Sequence, residues 1–175
     1  RGLPGIRKVF IGSGIRYDLI LSDRDHGALY LEEILQHHVS GHLKIAPEHV
    51  QNHILELMGK PGRECLEAFI RLFDEIRHKS PHKLFLTYYL MAAHPGCILE
   101  DMHKLRTFAI QTLRLLPKQI QIFTPSPSTY ATLMYYTETN PFSGQKIFVE
   151  KNTVNKQKQK AILNKPRSSA NVHFK

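Results

Sequence analysis

The sequence predicts an α/β fold built on a parallel sheet. Three observations point there. A short apolar strand, a polar loop and an amphipathic helix recur four times within residues 1–145, the connections are short, and polar, Gly- and Pro-rich segments gather at the strand exits. Alternation of this kind calls for right-handed crossovers between parallel strands. It fits an open doubly wound sheet or an arc of a barrel, and in either case chemistry collects at the C-terminal ends of the strands.

The first strand is expected at Lys8–Gly12, leaving through Ser13-Gly14-Ile15-Arg16-Tyr17-Asp18. A helix follows over about 27–38, with Leu29, Leu31, Ile34 and Leu35 on one face. The second strand, His42–Ala46, exits through Pro47-Glu48-His49 into a short helix near 50–58 that Gly59-Lys60-Pro61-Gly62 breaks. Leu66, Phe69, Ile70, Phe73 and Ile76 then stand at helical spacing over 64–79. A third strand spans 83–90 and leaves through His94-Pro95-Gly96. The helix after it, about 99–115, carries Glu100 and Asp101 in its first turn, where the helix dipole favours acids, and Pro117 stops it. The fourth strand, Gln119–Phe123, exits into Thr124-Pro125-Ser126-Pro127-Ser128, with a short helix near 129–136 beyond it. Ile147-Phe148-Val149 fits one further strand.

Composition narrows the field. The chain's 175 residues and 42% hydrophobic content suffice for one packed domain. No apolar run approaches the ~20 residues of a bilayer span, so no membrane role is expected. Cys65 and Cys97 are too far apart in sequence for a CxxC pair and give no disulfide framework and no metal site of their own, which suits a reducing cytoplasm. Residues 146–175 hold eight Lys and Arg against Glu150 alone, which places +7 of the +9 formal charge in that segment. The expected division is therefore a folded body over 1–145 and a basic, partly disordered tail, or the start of a C-terminal extension, over 146–175. Such a tail suits weak contact with nucleic acid or an acidic surface, or none. The first residue is Arg1, not Met, so the expectation is either that a preceding segment has been removed or that the sequence is partial.

Four clusters fall at the strand exits: Arg16, Tyr17 and Asp18; Lys44, Glu48 and His49; His94; and Thr124, Ser126 and Ser128. Arg16 and Lys44 suit a carboxylate or phosphate, Arg as a fork and Lys as a point charge. Lys44 interrupts an apolar strand, and burial there calls for an anionic partner: Glu48, Asp18 or a ligand. Glu48 and His49, on a proline-fixed loop, suit ligand contacts, and His94 suits substrate orientation or general acid–base work. Cys65 is expected in the core; Cys97, beside the His94 turn, has a position compatible with exposure and reactivity, though no adjacent group activates it. There is no Walker A loop, Gly-x-Ser-x-Gly elbow, His-Glu-x-x-His pair or aromatic RNA-binding signature, and Gly12-Ser13-Gly14 is not a dinucleotide fingerprint.

Taken together, Ser13–Asp18, Leu43–His49, Ala93–Gly96 and Phe123–Pro127, with Gly59–Gly62 and Met134–Tyr136, resemble the YgiQ-type family of radical S-adenosylmethionine (SAM) proteins over about residues 3–150. The resemblance implies a partial, TIM-like (β/α)6 barrel whose first unit holds a [4Fe–4S] cluster on a Cys-x3-Cys-x2-Cys loop, the cluster cleaving SAM to generate a radical that acts on a substrate. This sequence has neither that loop nor the glycine-rich second-strand motif. Its four units then correspond to the third through sixth of the barrel, catalytically incomplete without an N-terminal half as partner. On that frame Arg16, Lys44 and Glu48 fall to cofactor binding, Tyr17, Asp18, His49 and Ser126 to substrate binding, and His94 to catalysis, with no metal ligand in this chain. The other class of reading is a non-catalytic nucleic-acid or protein-binding remnant acting through the basic tail.

Overall fold

In the computed structural model, residues 3–80, 83–115 and 119–164 are described. Three parallel strands, β1 (His42–Glu48), β2 (Phe85–Ala92) and β3 (Gln119–Ile122), form one sheet in the order β1-β2-β3. Helices α1 (Tyr17–Ser22) and α2 (Gly27–His37) precede β1. Helices α3 (Asn52–Leu57) and α4 (Arg63–Arg77) connect β1 to β2, and α5 (Leu99–Gln111) connects β2 to β3. Helices α6 (Tyr130–Thr137) and α7 (Thr153–Asn164) complete the order. The α/β class and parallel sheet expected from the sequence are present.

The strands alternate strictly in burial. Leu43 and Ile45 of β1, Leu86, Tyr88, Leu90 and Ala92 of β2, and Ile120 of β3 share one core with Leu35, Phe69, Phe73, Met102 and Leu105 of the helices. The opposite face carries Lys44, Thr87, Tyr89, Met91, Gln119 and Gln121, half-buried or exposed, with Lys44 opposite Thr87 and Met91 opposite Gln121 in register. A parallel sheet normally has both faces covered and reads as continuously apolar. Here one face is packed under helices and the other is bare and mainly polar.

The first expected strand is reduced to a single bridge. Residues 8–12 run without strand pairing, tied to the end of α2 by Ile11 N–H to His38 O (2.9 Å). Pairing with β1 occurs only further on, where Ile15 N–H donates to Lys44 O (3.0 Å). Val9 and Phe10 are exposed, so nothing rewards the apolar pattern there with a ladder. Ile147–Val149 likewise forms no strand; Thr139 and Lys146 make an isolated antiparallel bridge beside it.

The largest departure is at 146–164. Residues expected as a basic tail or as the start of a C-terminal extension fold into α7, capped by Asn152, whose Oδ1 accepts from Val154 N (2.8 Å) and Asn155 N (3.2 Å). Ile162 and Leu163 join the core, and Arg106 of α5 donates to Ile162 O (2.8 Å). Residues 165–175 of the expected tail lie outside the described residues. Among the described residues no helix is long and apolar enough to cross a membrane.

Candidate functional site

The C-terminal ends of β1, β2 and β3 open into a cavity of about 580 Å³, lined among others by Glu48, Lys60, Met91, His94, Phe123 and Ser126. A second cavity of about 460 Å³ adjoins it and is lined by Gly14, Arg16, Asp18, Ala46 and Lys60. Lys60 borders both.

Local sequence explains how Lys60 arrives there. Gly59 (φ +64°) closes α3 in a Schellman motif, with Gly59 N–H to Glu56 O (2.9 Å) and Lys60 N–H to Leu55 O (2.8 Å). The chain is thereby turned so that Lys60 Nζ donates to Ala46 O at 2.7 Å, at the end of β1. On β1 itself, pairing with β2 slips between Ile45 and Glu48, and Glu48 takes a left-handed backbone (φ +66°). A non-glycine residue in that conformation is strained, and such strain clusters at functional sites. Burial raises the Glu48 carboxyl above its ordinary value, with the Lys60 ammonium pulling it back down. Burial in turn lowers Lys60, and Glu48 opposes that. The two are half-buried groups that feel each other's charge, Lys60 where the cavities meet and Glu48 on the wall of the larger one.

Arg16 and Asp18 lie on the rim of the smaller cavity as a forked pair, Nε to Oδ1 at 2.8 Å and Nη2 to Oδ2 at 2.6 Å. Its hydrogen bonds hold the Asp18 carboxyl below the usual carboxylate range and push Arg16 up. Lys44 stands on the bare sheet face, but its ammonium donates to Gly12 O (3.0 Å), so a backbone carbonyl takes the place of the expected carboxylate. Ser126 lines the larger cavity.

Four expectations change. Tyr17 is 4% exposed, its ring packed on Phe69 at 5.7 Å and its phenol pushed up to about 12 by burial; the side chain belongs to the core. His49 is fully buried: Nδ1 accepts from Gln51 N (3.1 Å), and Nε2 lies 3.8 Å from Cys97 Sγ. Cys97 is buried too, not exposed, and its thiol is pushed up to about 12, chiefly by burial. A buried, protonated thiol is a poor nucleophile. Cys65, expected in the core, is half-buried.

Residues missed from the sequence include Lys60, Met91, Phe123 and Tyr130. The usable signal was Gly59, a helix stop whose turn dictates where the next side chain goes. Of the basic segment, Lys151 pairs with Glu138, and Lys156 donates to the Tyr135 hydroxyl (3.1 Å) with its ammonium over that ring. Lys165, Arg167 and Lys175 lie outside the described residues. Among the described residues no group of three or more His, Cys, Asp or Glu is placed to hold a metal ion. With two cysteines, both in packed surroundings, the residues present do not fit a [4Fe–4S] cluster.

No protein-family model matches the sequence. Over 167 residues, however, it is 56% identical to UPF0313 protein FN0734 of Fusobacterium nucleatum, an alignment covering 95% of this chain and 29% of that protein. This chain is homologous to UPF0313 proteins. Further UPF0313 proteins, from Clostridium perfringens and Methanosarcina mazei, are each 42% identical over 163 residues, 93% of this chain and 24% and 25% of theirs. UPF0313 is the YgiQ family, so the resemblance drawn from the strand-exit motifs holds at that level. The chain spans less than a third of the length of these UPF0313 relatives.

Proposed function

We propose that this chain is the substrate-side arc of a UPF0313 radical SAM enzyme, contributing a strand-end rim while another part of the protein holds the [4Fe–4S] cluster. One observation carries the reading: the parallel sheet is packed on one face and bare on the other, with Lys44, Thr87, Tyr89, Gln119 and Gln121 on the bare side. A doubly wound sheet would bury both faces, whereas a barrel wall turns one face inward. The strand-exit motifs and the UPF0313 homology support the same reading.

On this reading the chain's own residues bind, orient and exclude water, and the radical chemistry belongs to a cofactor. Glu48 and Lys60 offer opposite charges to a ligand in the larger cavity, Lys60 reaching the smaller one as well, and the Arg16–Asp18 pair borders that smaller one. Met91 and Phe123 supply an apolar wall beside His94. Burial holds His94 down to about 4, so its imidazole is neutral at physiological pH and acts as a hydrogen-bonding group there. The test is anaerobic reconstitution of a full-length UPF0313 protein carrying this segment. Iron–sulfur absorption and 5′-deoxyadenosine from SAM are expected, and a full-length sequence lacking any Cys-x3-Cys-x2-Cys loop would overturn the reading.

A further inference from the structure

His94 lies in a five-residue turn whose backbone departs twice into the left-handed region, at Ala93 (φ +59°) and Gly96 (φ +88°). Glycine adopts that conformation freely; alanine is strained in it and needs outside support. The support comes from the segment after α6. Gly96 N–H donates to Phe148 O at 2.7 Å. Gln159 of α7, 2% exposed, accepts from Ala93 N–H at 2.9 Å through Oε1 and donates to Cys97 O at 3.2 Å through Nε2. The Cys97 thiol also donates to Gln159 Oε1, at 3.6 Å. The amide of Gln159 thus acts as an inserted peptide unit, matching one donor and one acceptor at the two ends of the turn. A buried glutamine with both ends matched is expensive to misplace, because either backbone group left alone loses its partner out of reach of water.

The turn fixes the imidazole. His94 is 3% exposed and sits edge-on to Phe123 at 5.3 Å. Its Nδ1 is 2.8 Å from Pro95 O, and a carbonyl only accepts, so Nδ1 carries the proton. Among the described residues no fully enclosed side-chain nitrogen or oxygen lacks a hydrogen-bond partner. His94 Nε2 makes no such bond, so it opens on the cavity that the residue lines. In the neutral ring that atom is a lone pair.

We propose that His94 is a built hydrogen-bond acceptor for a cavity ligand that presents an N–H or O–H group, and that Gln159 is the positioning residue that holds it there. The role does not depend on whether the protein carries out radical chemistry, so the two proposals fail separately. The experiment compares wild-type full-length protein with Gln159→Met, which keeps length and volume but removes both bonds, and with Gln159→Glu, which keeps the acceptor for Ala93 N–H. Backbone and histidine C2–H hydrogen exchange are followed by mass spectrometry. In Gln159→Met the Ala93 amide and the His94 ring exchange about ten-fold faster or more, while α5, α7 and β2 keep their protection. In Gln159→Glu the Ala93 amide stays protected. Unchanged exchange in a folded Gln159→Met, acceleration of α5, α7 and β2 in step with the turn, or equal acceleration in both variants would each overturn the positioning role. If Gln159→Met does not fold, Gln159→Glu with an accelerated Ala93 amide overturns it and with a protected one supports it. Diethyl pyrocarbonate, which acylates an unprotonated imidazole nitrogen, tests the acceptor in wild type. Modification of His94 but not of the sealed His49 is expected, and an unmodified His94 would overturn that assignment.

Discussion

Gly27 opens α2 directly against the backbone of α1. A Cβ placed on it would lie 1.9 Å from the carbonyl oxygen of Ile20. Ordinary van der Waals contact begins near 3.4 Å, so Gly27→Ala requires the two helices to part by about 1.5 Å at that point. The obstacle is backbone, which cannot swing aside as a flexible side chain would. Overpacking of this kind costs about 1–3 kcal/mol, and the upper half of that range applies here. For a chain of this size about 2–3 kcal/mol lowers the melting temperature by roughly 4–12 °C. Because α1 follows Arg16 and carries Asp18, the shift should also disturb the forked pair on the rim. Gly12→Ala is the matched control: nothing lies within 4 Å of its Cβ and its φ is unexceptional. Thermal unfolding by circular dichroism compares the three proteins. A Gly27→Ala melting point within a degree of wild type would refute the close approach of α1 and α2.

Two further predictions concern titration and thiol chemistry. His49 and His94 are each held at about 4 against an ordinary 6.5, chiefly because burial disfavours the cation. The unfolded chain therefore binds protons between pH 6.5 and 4 that the folded chain does not, so stability falls as pH is lowered through that window. The loss is on the order of 3 kcal/mol per histidine. Urea unfolding at pH 7, 5.5 and 4 should show it, with roughly half the slope remaining in His49→Asn; a flat wild-type profile would contradict the burial of both rings. Native-state alkylation with iodoacetamide, read by mass spectrometry, should label the half-buried Cys65 well before the enclosed Cys97. Earlier labelling of Cys97 would place it outside the core.

Much of the fold was legible because strands and helices here follow their own periods. Leu66, Phe69, Phe73 and Ile76 mark the buried face of α4 in the sequence as in the structure. Asp101, expected to favour the start of α5, accepts from Ile98 N–H at 3.0 Å. What was not legible depended on partners. Lys8–Gly12 reads as a strand, but strand formation needs a neighbour, and only Ile15 finds one. Helix α1, at six residues, is too short for a periodic signal. In α7 a glutamine occupies a core position, which no hydrophobic pattern reveals. The site was half legible for the same reason: strand exits are marked by Pro and Gly, but which exit residues turn inward is settled by tertiary contacts. His49 and His94 look alike in the sequence, yet only His94 meets the cavity.

The proposed role, a cavity-bearing rim in a UPF0313 protein that cleaves SAM, is open to direct measurement. The most direct measurement takes a full-length UPF0313 protein containing the segment, with its cluster reconstituted anaerobically, and quantifies 5′-deoxyadenosine after addition of SAM and a reductant. Product is expected from the wild type, with a loss of about ten-fold or more in Lys60→Ala and Glu48→Gln at equal cluster content, because Lys60 stands where the cavities meet and Glu48 lines the larger one. Cluster-loaded wild type that yields no 5′-deoxyadenosine above background would contradict it.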